Sequence, residues 1–142
     1  MQRDIHVLGT SIRFLATPEE TNGLSCIMLV SYPPGAADPV HINHRDGELW
    51  LVLDGALAVE VDGVTRTLGV GESIQFAAGA AHRVANHGET PAMALSIATP
   101  GVGVPDWLNE LAALEVPDPA AFADINARYR VSVPEPSGDG AP

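Results

Sequence analysis

With 142 residues, the chain fits one domain able to bury roughly 68–70% of the surface it exposes when unfolded. It is 46% apolar and 18% charged, which excludes a disordered chain. Eighteen acidic against seven basic residues leave a formal net charge of −11, so the basic surface that nucleic acids and anionic membranes require is missing.

The opening MQRDIHVLG places charges where the apolar core of a leader would begin. No apolar run approaches the ~18 residues of a membrane-spanning helix, and a cytoplasmic location is expected. From residue 5 to 100 the chain alternates short apolar runs with Gly, Pro, Asn and Asp. SIRFLA (11–16), LSCIMLVSY (24–32), LWLVLDG (49–55), ALAVEVDG (56–63), VTRTLGV (64–70), ESIQFAA (72–78), HRVANH (82–87) and PAMALSIAT (91–99) all have strand length. Turn residues punctuate them. Asp54-Gly55 and Asp62-Gly63 read as tight hairpin turns. Many short strands with no helix between them predict an all-β sandwich or barrel over 1–100. The single cysteine, Cys26, lies in an apolar run and reads as a small buried hydrophobe.

After Pro100 the period changes. PDWLNELAALE (105–115) carries Trp107, Leu108, Leu111 and Leu114 at helical spacing. Asp118-Pro119 then reads as an N-cap and first-turn proline, followed by Phe122, Ile125 and Tyr129 on one helical face. Two short helices over 101–132 are expected to pack on the β-domain. Their aromatic stripe can cover a sheet, line a pocket or form a dimer seam. The Pro/Gly/Ser-rich end, 133–142, is expected to be disordered.

The chemistry concentrates in GAADPVHINHRDGELWLVLDG (35–55) and GESIQFAAGAAHRVAN (71–86). Alternate residues of a strand share a face, so His41 and Asn43 point one way and His44 the other. Glu48 begins the next strand, with Trp50 and Val52 on its face. If pairing brings His82 alongside, two imidazoles and one carboxylate converge. Such a set, with positions left open, suits non-haem Fe(II) and equally Zn, Mn or Ni acting as a Lewis acid. Tyr32, Met28, Phe76 and Val84 are the other candidates for an apolar pocket wall, which favours an organic substrate over a sugar phosphate.

These two stretches resemble the paired motifs of the cupins. Gly35, His41, Asn43, Glu48 and Gly55 fall on the frame of the first motif, with Asn43 where the family has its second histidine. Gly71, Ala77, Gly79, His82 and Asn86 fall on the second, with alanine for proline. PPGAADPVH, ELWLVLDG, IATPG and the helical tail are similar to small bacterial cupins described as quercetin dioxygenase-like. The resemblance implies a double-stranded β-helix, a jelly-roll barrel, with two short C-terminal helices and a divalent metal inside. Carried over by position, His41, Glu48 and His82 are the ligands, with Asn43 or His44 as a fourth candidate and Glu48 also able to shuttle protons. The implied activity is an oxygenase, with iron foremost, acting on a small apolar or aromatic molecule. The alternatives are a non-redox cyclase, isomerase or dehydratase, and a non-catalytic binding barrel. A homodimer is expected from the same resemblance.

Overall fold

The computed structural model describes residues 3–114 and 116–134; most of the tail expected to be disordered lies outside them. Eleven strands and two helices follow one another: β1 (Asp4–Val7), β2 (Thr10–Ala16), β3 (Cys26–Tyr32), β4 (His41–Asn43), β5 (Gly47–Asp54), β6 (Leu57–Val61), β7 (Val64–Leu68), β8 (Ser73–Phe76), β9 (Ala81–Ala85), β10 (Ala92–Thr99), α1 (Val104–Ala112), α2 (Pro119–Arg128) and β11 (Val131–Ser132). They form two antiparallel sheets, ordered β1-β2-β3-β10-β5-β8 and β11-β4-β9-β6-β7. The sheets face one another as the walls of a jelly roll and are not hydrogen-bonded into a closed cylinder.

Alternation drives this arrangement. In β3, Cys26, Met28, Val30 and Tyr32 are buried while the residues between them are half-buried. In β10, Ala92, Ala94, Ser96 and Ala98 form the buried row. Facing rows from the two sheets make one core, which Val104, Leu108 and Leu111 of α1 and Ile125 of α2 join. Each such aliphatic side chain contributes roughly 1.5–3 kcal/mol when fully removed from water. Cys26 belongs to this core, as its apolar run predicts; burial, with the Asp46 charge, pushes its thiol up to about 12.

Asp62-Gly63 is a tight hairpin turn, both residues having positive φ (49° and 83°) as a two-residue primed turn needs. Asp54-Gly55 is not. β5 pairs with β10 and β8, whereas β6 pairs with β7 and β9, so this turn carries the chain from one sheet to the other. Gly55 is required there. Its φ is +71°, and a Cβ would lie 2.7 Å from the Pro91 carbonyl oxygen. Two elements have no clear sequence signal: β1, joined to β2 through a Leu8-Gly9 turn, and β11, which returns after α2 to pair with β4.

The Asp118 carboxylate caps α2 by accepting from the Ala121 N–H at 3.0 Å, as its sequence predicts. Trp107 donates its indole N–H to Asn126 Oδ1 at 2.9 Å, tying α1 to α2. Trp107 and Phe122 face a cavity between helices and sheets. The Tyr129 hydroxyl binds Glu110. Of the three aromatics, two are therefore committed to the cavity wall. Among the described residues no helix is long and apolar enough to cross a membrane.

Candidate functional site

Strand register assembles the cluster. His41 on β4 stands directly opposite His82 on β9, and their ring centroids are 4.2 Å apart. Glu48 reaches them from the other sheet, where it is paired with Ala98 of β10 and Phe76 of β8. Its Oε2 lies 3.1 Å from His82 Nε2, and its Oε1 accepts the Trp50 indole N–H at 3.0 Å. The Phe76 ring packs on His82 with centroids 4.4 Å apart.

Both imidazoles are oriented by the same device. His41 Nδ1 lies 2.9 Å from the Pro39 carbonyl and His82 Nδ1 lies 3.1 Å from the Ala80 carbonyl. A carbonyl only accepts, so each Nδ1 carries the hydrogen, and the neutral ring keeps its lone pair on Nε2. This is how proteins orient metal-binding histidines. His82 Nε2 is buried and makes no hydrogen bond among the described residues, although Glu48 Oε2 lies 3.1 Å away. Two lone-pair atoms 3.1 Å apart repel unless a positive charge lies between them. That charge is a proton or a metal cation.

In the metal-free site the three groups shift one another's proton affinities. Burial pulls the His82 pKa down, but the Glu48 carboxylate outweighs it and leaves the net value raised. Burial pushes Glu48 up, yet His82, His41 and the Trp50 N–H leave it lowered. His41 is lowered, first by burial and then by the charge of His82. Among the described residues no three His, Cys, Asp or Glu side chains form a ready-made metal cage. The donor chemistry nevertheless fits one: two Nδ1-anchored imidazoles and a carboxylate supply the N₂O set that Fe, Mn, Ni and Zn accept.

Asn43 and His44 do not belong to this set. The Asn43 amide donates to Asp46 Oδ2 at 2.9 Å, and its Oδ1 accepts the N–H groups of Arg45 (2.9 Å) and Asp46 (3.1 Å). Asp46 Oδ1 in turn accepts the Gly101 N–H at 2.7 Å. Asn43 is thus a brace for the β4–β5 turn, with its oxygen already committed. His44 faces outward, its Nε2 bonded to Ser132 Oγ at 2.7 Å. Asn86, last residue of the second motif, is likewise a staple: its amide donates to the carbonyls of Tyr32 and Thr90, both at 2.9 Å.

A hollow of about 90 Å³ adjoins the cluster, lined by Met28, Tyr32, His41, Glu48, Trp50 and Trp107 among others. Of the wall candidates, Met28, Tyr32 and Trp50 line it. Val52 and Val84 are instead sealed in the core, and Phe76 serves as the support behind His82. A larger open groove of about 850 Å³ lies outside, and Leu8, Asp38, Pro39, Leu111 and Phe122 border both spaces. No Lys or Arg lines the inner hollow among the described residues. Arg83 lines only the outer groove, and Arg13 is paired with Asp4 on the surface.

Sequence reasoning missed Asp38. It looks like a loop residue before proline, and nothing local signals that the Tyr32 hydroxyl donates to its Oδ2 at 2.8 Å. Burial pushes its carboxyl up to about 6, the Tyr32 bond working against that and the Glu48 charge adding to it. A carboxyl whose folded pKa is raised is most stabilising below its unfolded value, and that stability is lost as pH rises toward 6. In metal-free protein, Asp38→Asn should therefore cut the stability lost between pH 5 and 8 by about 1 kcal/mol, discounted for partial exposure. Urea unfolding at the two pH values checks this; an unchanged pH difference would rule out a strained Asp38 carboxylate.

Comparison with known proteins gives a consistent picture. Residues 28–98 match the family described as Cupin domain. Germin-like protein 9-2 from Oryza sativa subsp. japonica is 42% identical over a 79-position alignment that covers 50% of this chain and 37% of that protein. The chain thus spans well under half of that curated relative. A sugar phosphate isomerase of the cupin superfamily from Silicibacter pomeroyi superposes with a TM-score of 0.57 at 26% identity, covering 64% of this chain and 59% of that one. KdgF from Halomonas sp. superposes with a TM-score of 0.61 at 20% identity, covering 70% and 86%, a likeness of fold.

Proposed function

The chain belongs to the cupin family, and from that premise we propose that it is a metal-dependent enzyme acting on a small, uncharged organic molecule, as an oxygenase. The observation that carries this reading is the pair of carbonyl-anchored imidazoles, His41 and His82, meeting Glu48 across the two sheets. These three residues would hold the ion. A divalent metal held there, iron foremost, would supply Lewis-acid or redox chemistry toward oxygen or substrate.

The rest falls to the chain's own side chains. Trp50 fixes one Glu48 oxygen through its indole N–H, which leaves the other free for the ion. Trp107, Met28 and Tyr32 enclose the substrate and exclude water, which strengthens every charge interaction inside. With no Lys or Arg on its wall among the described residues, the hollow offers a phosphate or carboxylate no side-chain cation beyond the proposed ion, which favours an uncharged substrate. At about 90 Å³ it also disfavours a flavonoid, since drug-sized ligands occupy roughly 300–1,000 Å³. The substrate of this reading is therefore smaller than the quercetinase resemblance suggests.

One observation favours a second reading, non-redox acid–base chemistry. Asp38 borders the hollow with a carboxyl at about 6, near the value suited to moving protons at neutral pH. Anaerobic loading with Fe(II), Mn(II), Ni(II) and Zn(II), followed by metal analysis and oxygen-uptake assays on small ketones and enols, separates the two. One equivalent of metal with oxygen consumption supports the oxygenase. Metal uptake with proton exchange at carbon and no oxygen consumption supports the second reading. Failure to take up any of the four overturns both and leaves a binding module.

A further inference from the structure

The inner face of β10 reads Ala92, Ala94, Ser96, Ala98, three alanines and one serine, all at most 2% exposed. Ser96 is fully buried, and its Oγ has no hydrogen-bond partner among the described residues. Its cross-strand neighbours are Met28 on β3 and Trp50 on β5. An indole N–H cannot accept, a thioether accepts only weakly, and the Trp50 N–H is already given to Glu48. Burying a hydroxyl without a partner is unfavourable. Alanine, the choice at every other inward position of this strand, would avoid that cost.

Ser96 also lines the hollow that His41 and Glu48 line. Glu48 is paired with Ala98 and Trp50 with Ser96, so Ser96 is the diagonal neighbour of Glu48, with Cβ atoms roughly 7 Å apart or less. We infer that Ser96 is a substrate-recognition residue: it receives the second polar atom of a small molecule whose first oxygen sits at His41, Glu48 and His82. The ligand class is an uncharged molecule of a few carbons, bearing two oxygens separated by three or four carbons. This rests on the proposed function above and narrows its substrate.

The test compares butane-1,4-diol with butan-1-ol, the same skeleton lacking the second oxygen, by calorimetric titration of zinc-treated and metal-free protein. Both forms are used because Glu48 and His82 can hold a hydroxyl without an ion. The wild-type protein should favour the diol several-fold, and Ser96→Ala should bind the two alike. The unliganded Ser96→Ala protein should unfold at the same temperature as wild type or higher, because no structural bond is lost. A midpoint several degrees lower would show that the hydroxyl braces the sheet, and equal binding of the two probes by wild type in both forms would overturn the assignment. Zinc stoichiometry is recorded alongside. Diol preference retained in protein that takes up none of Fe(II), Mn(II), Ni(II) and Zn(II) defeats the metal reading alone, whereas zinc uptake without diol preference defeats this one alone.

Discussion

His82→Ala should leave the protein unable to hold a divalent metal, with affinity lowered about 1,000-fold or more. Disturbing the outer partners of a metal ligand already costs 10–100-fold, and His82 is a direct ligand in the proposed site. The thermal readout should be large. At a metal concentration of about 100 Kd, binding adds about 2.7 kcal/mol to the folded state, which raises the midpoint of a domain this size by roughly 10 °C. Wild type should show that rise, and His82→Ala should show none. Because alanine also leaves space beside Phe76 and His41, His82→Gln serves as the volume-matched control. It should fold better yet remain metal-deficient. Full metal uptake by either variant would remove His82 from the site.

The same pair gives the metal dependence a definite pH direction. His82 has a raised folded pKa, so in metal-free protein its pairing with Glu48 stabilises most below the unfolded histidine value and fades as pH rises through the folded one. A metal competes with that proton and needs the neutral ring. The stabilisation from added metal should accordingly be small at pH 5 and grow toward pH 8. Metal stabilisation that is flat across this range would mean that the ion binds elsewhere.

Two-residue periodicity made the β-elements legible, because each buried row is continuous in sequence: Cys26, Met28, Val30 and Tyr32, for example. The cluster of His41, Glu48 and His82 was legible for a different reason, their spacing between turn glycines. What the sequence left hidden depends on pairing between distant segments. Asp54-Gly55 has the composition of a hairpin turn, but which strands flank it is decided by β10 and β8. Asp38 acquires its meaning from Tyr32, and Ser96 from the alanines around it and the Glu48 rung beside it. Asn43 is the most instructive case, since its motif position suggests a ligand while three local hydrogen bonds assign it to the turn.

Restoring the family's second histidine should therefore harm the protein and not improve its site. Asn43→His replaces an amide that accepts two backbone N–H groups and donates to the buried Asp46 carboxylate. An imidazole cannot satisfy all three. Each neutral bond contributes about 1 kcal/mol and the charged one about 2, so a loss of about 3–4 kcal/mol is expected, or a midpoint roughly 10–15 °C lower. Asp46 would keep only the Gly101 N–H, leaving one of its oxygens buried and unpaired. Metal stoichiometry should stay at that of wild type, with no gain in affinity, because the ring enters a position whose backbone is set for an amide. Asn43→Asp tests the cause. It retains the oxygen that accepts the two N–H groups but sets a second carboxylate against Asp46, so it too should lose stability. A well-folded Asn43→His protein with tighter metal binding would contradict this account and return position 43 to the ligand set.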